Sequence, residues 1–242
     1  MVARRAAGRY HPYPMSELLE RVRTLGDSFK KDLVDKVLPT ESLLDAGGMW
    51  GVHGSYALHA ATRGAKRVVI LDTLRTPEFD LWNPEVPSVQ FVQGDMNDPG
   101  VFTSFPRVET AICFEVLMHQ AVPLWTLYGL TSAASKTIVL SASVLPESRF
   151  PYPNCGVFLP GMPPTHQHEL HPEPGNPVFK VFSSKPELAR SHSEWHWGLT
   201  GSLITSWMKY LGWSPAEEWR RPFRGNWEWW QGIFHPDANI RF

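Results

Sequence analysis

The residues best suited to chemistry stand where two apolar runs end. Leu43-Leu44-Asp45-Ala46-Gly47-Gly48-Met49-Trp50-Gly51-Val52-His53-Gly54 carries an apolar run into an acid and a glycine-rich turn. Val68-Val69-Ile70-Leu71-Asp72 closes a second apolar run with another acid. Glycines let a backbone pass close to a ligand, and an acid closing the second strand can accept both hydroxyls of a ribose. The pattern points to a nucleotide-like cofactor held by Asp45, Gly47, Gly48, Trp50, Gly51, Asp72 and the adjoining Thr73.

A second group of candidates is rich in histidine and tryptophan. His166-x-His168-x-x-His171, with Glu169, offers a substrate base, a hydrogen-bond donor, a metal ligand set or simply a solvated loop. The spacing is not a standard zinc pattern and no cysteine assists, so no metal is assigned. Eight of the 11 tryptophans lie at or after Trp195, which makes an apolar acceptor pocket plausible there. Trp195, His196 and Trp197 are its candidate substrate-binding residues, with Trp227, Trp229 and Trp230 as further aromatic walls or core packing.

The elements that must position these residues follow from periodicity. Residues 1–39 form a helical lead-in, with one apolar stripe (Met15, Leu18, Leu19, Val22, Leu25, Phe29, Leu33, Val37) predicting a helix from Pro14. Lys30, Lys31 and Lys36 are read as its solvated face. Strands are expected at Ser42–Ala46, Arg67–Leu71, Ser88–Val92, Glu109–Phe114 and Thr137–Val144, with helices near 55–63 and 122–134 and a Pro- and acid-rich loop over 76–87. Five strands alternating with helical segments predict a doubly wound, mostly parallel α/β sheet. Ten of the 22 prolines fall between residues 146 and 190, so 146–198 reads as a long irregular insertion or acceptor lid. A last helix near 199–211 and a hairpin through Arg224-Gly225-Asn226 complete a seven-stranded sheet in one domain spanning 1–242, whose cofactor-binding core is 40–145.

Bulk properties exclude several classes. At 43% hydrophobic and 19% charged residues the chain has enough apolar material for a core and too little charge for a disordered tail. The balance of 23 Lys+Arg against 24 Asp+Glu gives no broad positive field, which disfavours nucleic acid as a partner. Two distant cysteines suggest no disulfide framework. With no membrane-length apolar run and no signal segment, a cytoplasmic protein is expected.

In order and position these motifs resemble the class I S-adenosylmethionine-dependent methyltransferases. The resemblance covers residues 40–145 well and 195–236 loosely. It implies that the Asp45–Gly51 turn lies against the methionine part of S-adenosylmethionine and that Asp72 holds the ribose diol. It further implies that Asp95 and Met96, after the third strand, contact the adenine. Phe114-Glu115-Val116-Leu117-Met118-His119 is similar to the stretch after the fourth strand, beside the cofactor's methionine and sulfonium. Glu115 then either binds the cofactor's ammonium or only supports a helix start. Methylation of an alcohol or phenol needs a base, and histidine titrates near working pH. His119, His166 and His168 are the candidates. The reading is O-methylation of a small natural-product or sugar-like acceptor. The rivals are a tRNA wobble-uridine-modifying enzyme, a non-catalytic cofactor-binding scaffold and an NAD-dependent oxidoreductase. Val52-His53-Gly54 lengthens the first turn relative to the family.

Overall fold

The computed structural model describes residues 14–149, 154–158, 197–223 and 227–238. Apolar runs with β-branched residues give strands β1 (Thr40–Ala46), β2 (Ala65–Asp72), β3 (Val89–Gln93), β4 (Val108–Phe114) and β5 (Ala134–Val144). Two short strands follow, β6 (Gly156–Phe158) and β7 (Trp197–Leu199), then β8 (Trp213–Pro222) and β9 (Glu228–Pro236). Seven of them form one sheet in the order β3-β2-β1-β4-β5-β9-β8. The pairings among β1 to β5 are parallel, whereas β9 runs antiparallel to both β5 and β8. This is the expected doubly wound sheet with a terminal hairpin. The strand order reverses between β1 and β4, which opens a crevice at the carboxyl ends of those strands.

Both faces of the sheet are covered, and alternate residues feed opposite sides. Leu44, Val69, Ala111, Ile138 and Leu140 enter one core. Leu43, Val68, Ile70, Ile112 and Val139 enter the other. The first core packs against α5 (Pro123–Ala133) and α6 (Gly201–Tyr210), through Leu127, Leu130, Ile204 and Met208. The second packs against α1 (Met15–Thr24), α2 (Ser28–Lys36), α3 (Ser55–Thr62) and α4 (Pro77–Trp82). Continuous burial of this kind is what makes the central strands read as unbroken apolar runs.

Three expectations need correction. The N-terminal helix is two helices, because the chain turns at Gly26, whose φ is +77°. The loop over 76–87 contains α4 and a 3-10 turn at Asn83–Glu85. Thr76 starts α4 by accepting the Phe79 N–H, Pro77 sits in its first turn, and Phe79 and Trp82 bury one face. The last helix begins at Gly201 rather than Leu199, capped by the Thr200 hydroxyl, and Trp197–Leu199 is a strand paired with β6. Among the described residues no helix is long and apolar enough to cross a membrane.

Candidate functional site

A cavity of about 990 Å³ opens at the reversal point between β1 and β4. It is lined by the β1–α3 turn, the ends of β2, β3 and β4, and the break between α1 and α2. Its volume is at the upper end for small-molecule sites.

The turn after β1 shows why glycines stand there. Gly47 has φ +84°, and a Cβ on it would sit 2.3 Å from the Val116 side chain. A Cβ on Gly48 would sit 2.2 Å from Asp45 Oδ2, so the backbone crosses directly over that carboxylate. Gly51 has φ +66° and nothing within 4 Å of its missing Cβ. That turn therefore presents bare backbone to open space. Asp45, Gly47, Gly48, Trp50 and Gly51 all line the cavity. The extension Val52-His53-Gly54 bends through two left-handed residues, His53 and Gly54, before α3 begins.

Asp45 is buried, and its Oδ2 has no hydrogen-bond partner among the described residues. Burial first, and then repulsion from Asp72, push its carboxyl up to about 7, with the Ala57 N–H pulling the other way. Asp72, also buried, accepts the Met49 N–H at 3.0 Å through Oδ2 and the Leu74 N–H at 3.0 Å through Oδ1. One carboxylate thus pins the glycine turn to the exit of β2. Asp72 and Thr73 line the cavity, as do Asp95 and Met96 beyond β3. Asp95 is exposed and accepts the Asn97 N–H at 2.9 Å, a local turn that orients it, while Met96 is buried.

Phe114 ends β4 with its ring edge-on to Tyr56 at 5.2 Å. Glu115 then takes φ +57°, an uncommon conformation for a residue with a side chain. Its carboxylate accepts the Ser143 N–H at 2.9 Å and the Ser141 hydroxyl at 3.1 Å. His119 ends a 3-10 turn, Leu117–His119, and faces the cavity with Phe114 and Glu115. Every cofactor-binding candidate from the sequence, together with His119, therefore meets at one cavity.

Several lining residues were not anticipated, among them Asp27, Lys30, His53, Glu78 and Gln120. Lys30 is the clearest case. It is 4% exposed, with Nζ 2.8 Å from Asp27 and 3.5 Å from Glu115. The solvated-face reading of Lys30 is corrected: once the helix breaks at Gly26, the buried stripe of α2 is Lys30, Leu33 and Val34. The signal available was Gly26-Asp27, a turn followed by a helix-start residue. Tyr56 is equally unanticipated, and its hydroxyl accepts the Asp27 N–H at 2.9 Å.

The acceptor-side candidates fare differently. His166, His168, His171, Trp195 and His196 lie outside the described residues. Trp197 does not line the cavity; it packs against the α5–α6 core on β7, which rests against the turn bearing His119. Trp227 and Trp230 are buried core residues, and Trp230 Nε1 donates to Glu218 at 3.1 Å. Trp229 stacks on Phe223 and meets Phe29 instead of lining the cavity. Among the described residues no group of His, Cys, Asp and Glu is arranged to hold a metal.

No family model and no curated protein matches the chain. Solved structures do match in fold. The N-terminal domain of EvdMO1, crystallised in the presence of S-adenosylhomocysteine and D-fucose, is 16% identical with a TM-score of 0.57, covering 95% of this chain and 85% of its own. The 1,6-didemethyltoxoflavin-N1-methyltransferase of Burkholderia thailandensis, bound to 1,6-didemethyltoxoflavin and S-adenosylhomocysteine, is 13% identical with a TM-score of 0.56, covering 93% and 87%. The [4+2]-cyclase SpnF is 10% identical with a TM-score of 0.59, covering 93% and 94%. The chain thus has the Rossmann-like fold of the class I S-adenosylmethionine-dependent methyltransferases.

Proposed function

We propose that the chain is an S-adenosylmethionine-dependent methyltransferase that methylates a small natural-product or sugar-like acceptor, at oxygen. The observation that carries this is the character of the cavity. Its described lining holds Asp27, Asp45, Asp72, Glu78, Asp95 and Glu115 against one lysine, Lys30, and no arginine. An acid-rich, partly apolar cavity suits a ligand bearing a sulfonium and an ammonium. The pyrophosphate of a dinucleotide would meet carboxylates on several sides, which counts against the oxidoreductase reading. Fold alone does not decide the reaction, since a cyclase shares it.

The residues present fit the cofactor. The bare turn at Gly47–Gly51 would lie against its methionine part, Asp72 and Thr73 would take the ribose hydroxyls, and Asp95 and Met96 would take the adenine. A carboxylate offers about four acceptor positions, so Asp72 can serve backbone and ribose together. Asp45, whose Oδ2 has no partner among the described residues, and the fixed Glu115 carboxylate suit the ammonium. When bound, S-adenosylmethionine supplies a methyl group already activated by its sulfonium. The protein's part is then alignment, worth about 7–11 kcal/mol in favourable intramolecular models, and removal of the acceptor's proton. His119 is the described residue assigned to take that proton from the acceptor hydroxyl, a role worth ~10²–10⁴-fold. His166 and His168 are proposed as further base candidates, with His171, Trp195, His196 and Trp197 on the acceptor side.

Neighbours bound to a small heterocycle or crystallised with a sugar favour a small acceptor over tRNA. The test is calorimetric titration with S-adenosylhomocysteine, followed by mass-spectrometric screening of hydroxylated acceptors with methyl-labelled cofactor. Micromolar binding and a labelled methyl ether are expected. Absence of cofactor binding overturns the proposal, and binding without any methyl transfer points to the scaffold.

A further inference from the structure

We infer that the outer face of α5 and α6 is a docking surface for a second copy of this chain, the two α5 helices packing antiparallel across a two-fold axis. The inference goes beyond the reading of the cavity and stands independently of it. A helix that covers a sheet normally turns charged residues outward, and one that is apolar all round is normally buried all round. α1 and α2 follow the first pattern, exposing Glu17, Glu20, Arg21, Arg23, Asp32 and Lys36. α5 does not. It holds no charged residue, and no Asp, Glu, Lys or Arg occurs between Glu115 and Lys136. α6 carries only Lys209.

The inner stripe of α5 is fully occupied. Thr126, Leu127, Leu130 and Ala133 are buried, and a Cβ on Gly129 would sit 2.1 Å from the Phe102 ring. That close approach fixes the helix against the sheet and leaves its outer stripe facing away. Val122, Trp125 and Tyr128 on that stripe are 42%, 50% and 54% exposed, and the exposed Ser132 continues the line. Tyr210, on α6 in the same helical layer, is 74% exposed. Of the five large apolar side chains exposed among the described residues, four thus belong to this one layer. Clustering of this kind marks an interaction surface, where scattered exposure would not.

Charge identifies the occupant. A nucleic acid or an anionic membrane would need a row of cations here, and a charged peptide would need counter-charges. Lys209 alone supplies neither. A second copy brings the same neutral surface, so no unpaired charge is buried. The net charge of -1 also leaves little long-range repulsion between copies. In a two-fold contact, one residue meets a second on the other copy and the second meets the first. With the stripe centred between Trp125 and Tyr128, an antiparallel pair sets Trp125 of each copy against Tyr128 of the other. Val122 then faces Ser132. The three exposed aromatics present roughly 300–400 Å², about half of the ~800 Å² that each partner contributes to a standard interface. A dimer exchanging with monomer at micromolar concentrations follows, rather than an obligate one.

The experiment is sedimentation velocity on the full chain between about 1 and 200 μM, where mass action governs the dimer fraction. The wild type is expected to pass from monomer to dimer over that range. Trp125→Glu and Tyr128→Arg are each expected to weaken association by about tenfold or more, with melting temperatures close to that of the wild type. An equimolar mixture of the two variants is expected to associate more tightly than either alone, because the acid introduced in one copy then faces the cation introduced in the other. A wild type that stays monomeric throughout overturns the proposal and leaves this face to a different partner. A dimer that survives both substitutions overturns it as well, as does a mixture that gains nothing. Should either variant fail to fold, Ser132→Arg at a small exposed position carries the same expected weakening of about tenfold or more, and undiminished association is then the overturning result.

Discussion

Two glycines in the β1–α3 turn are constrained by different forces, and substitution separates them. At Gly48 an added methyl would lie 2.2 Å from the buried Asp45 carboxylate, so either the turn or the acid must shift. Overpacking of this kind costs about 1–3 kcal/mol. At Gly51 there is free space, and the penalty is only the left-handed backbone, roughly 1–2 kcal/mol. Gly48→Ala is therefore expected to lower the melting temperature at least as far as Gly51→Ala and to abolish S-adenosylhomocysteine binding. Gly51→Ala should retain weakened binding. Scanning calorimetry and titration on both variants check this, and the reverse order of binding loss would contradict the geometry. Asp72 adds a second case, since it serves the turn and the proposed ribose together. Asp72→Ala is expected to reduce cofactor affinity by a few kcal/mol at most, through loss of charge-assisted hydrogen bonds. For His119, replacement by Ala is expected to remove the limb of the pH–rate profile near neutrality and to lower kcat by ~10²–10⁴, with S-adenosylhomocysteine affinity unchanged.

At the scale of elements, the terminal hairpin reaches across the sheet to hold α2. Phe29 meets Trp229, Trp229 stacks on Phe223 at 4.5 Å, and Arg221 covers Phe29. A second contact sets Lys36 over Trp219 at 4.4 Å and beside Glu217 at 2.8 Å, further along the same helix. Only the first contact adjoins the cavity, because Lys30 follows Phe29 directly. Trp229→Ala is accordingly expected to weaken both stability and S-adenosylhomocysteine binding. Trp219→Ala should cost stability alone, an aromatic pair being worth about 0.5–1.5 kcal/mol beyond its area and an exposed cation–π contact about 0.5–1 kcal/mol. Parallel melting and binding measurements distinguish the two, and equal effects on binding would mean that the hairpin does not position α2.

For the whole molecule, what could be read from the chain follows the range of the forces involved. The doubly wound core was legible because strands buried on both faces must be apolar, and because ligand-facing acids stand where those strands end, as at Asp45 and Asp72. Lys30 was not, since its burial depends on a break at Gly26 that rephases α2, and on Glu115, which is remote in sequence. The helix α4 was hidden because six residues give too short a period to recognise among prolines. The acceptor side stays with the His166–His171 run and its neighbours as a proposal. The cavity also makes a prediction for the entire fold through proton linkage. Asp45 holds its proton up to about pH 7 in the folded protein, against about 3.9 when unfolded, so the folded state binds the extra proton between these values. Stability must then fall as pH rises through that window, the opposite of a salt-bridged aspartate. Asp45→Asn removes the effect: its melting temperature, relative to wild type, is expected to be higher at pH 8 than at pH 4. Ligand binding supplies the counterpart, because a cation placed beside Asp45 favours loss of its proton. S-adenosylmethionine should therefore raise the wild-type melting temperature more at pH 8 than at pH 5.5, and Asp45→Asn should flatten that difference. A ligand shift independent of pH in the wild type would exclude Asp45 from contact with the cofactor's positive charge.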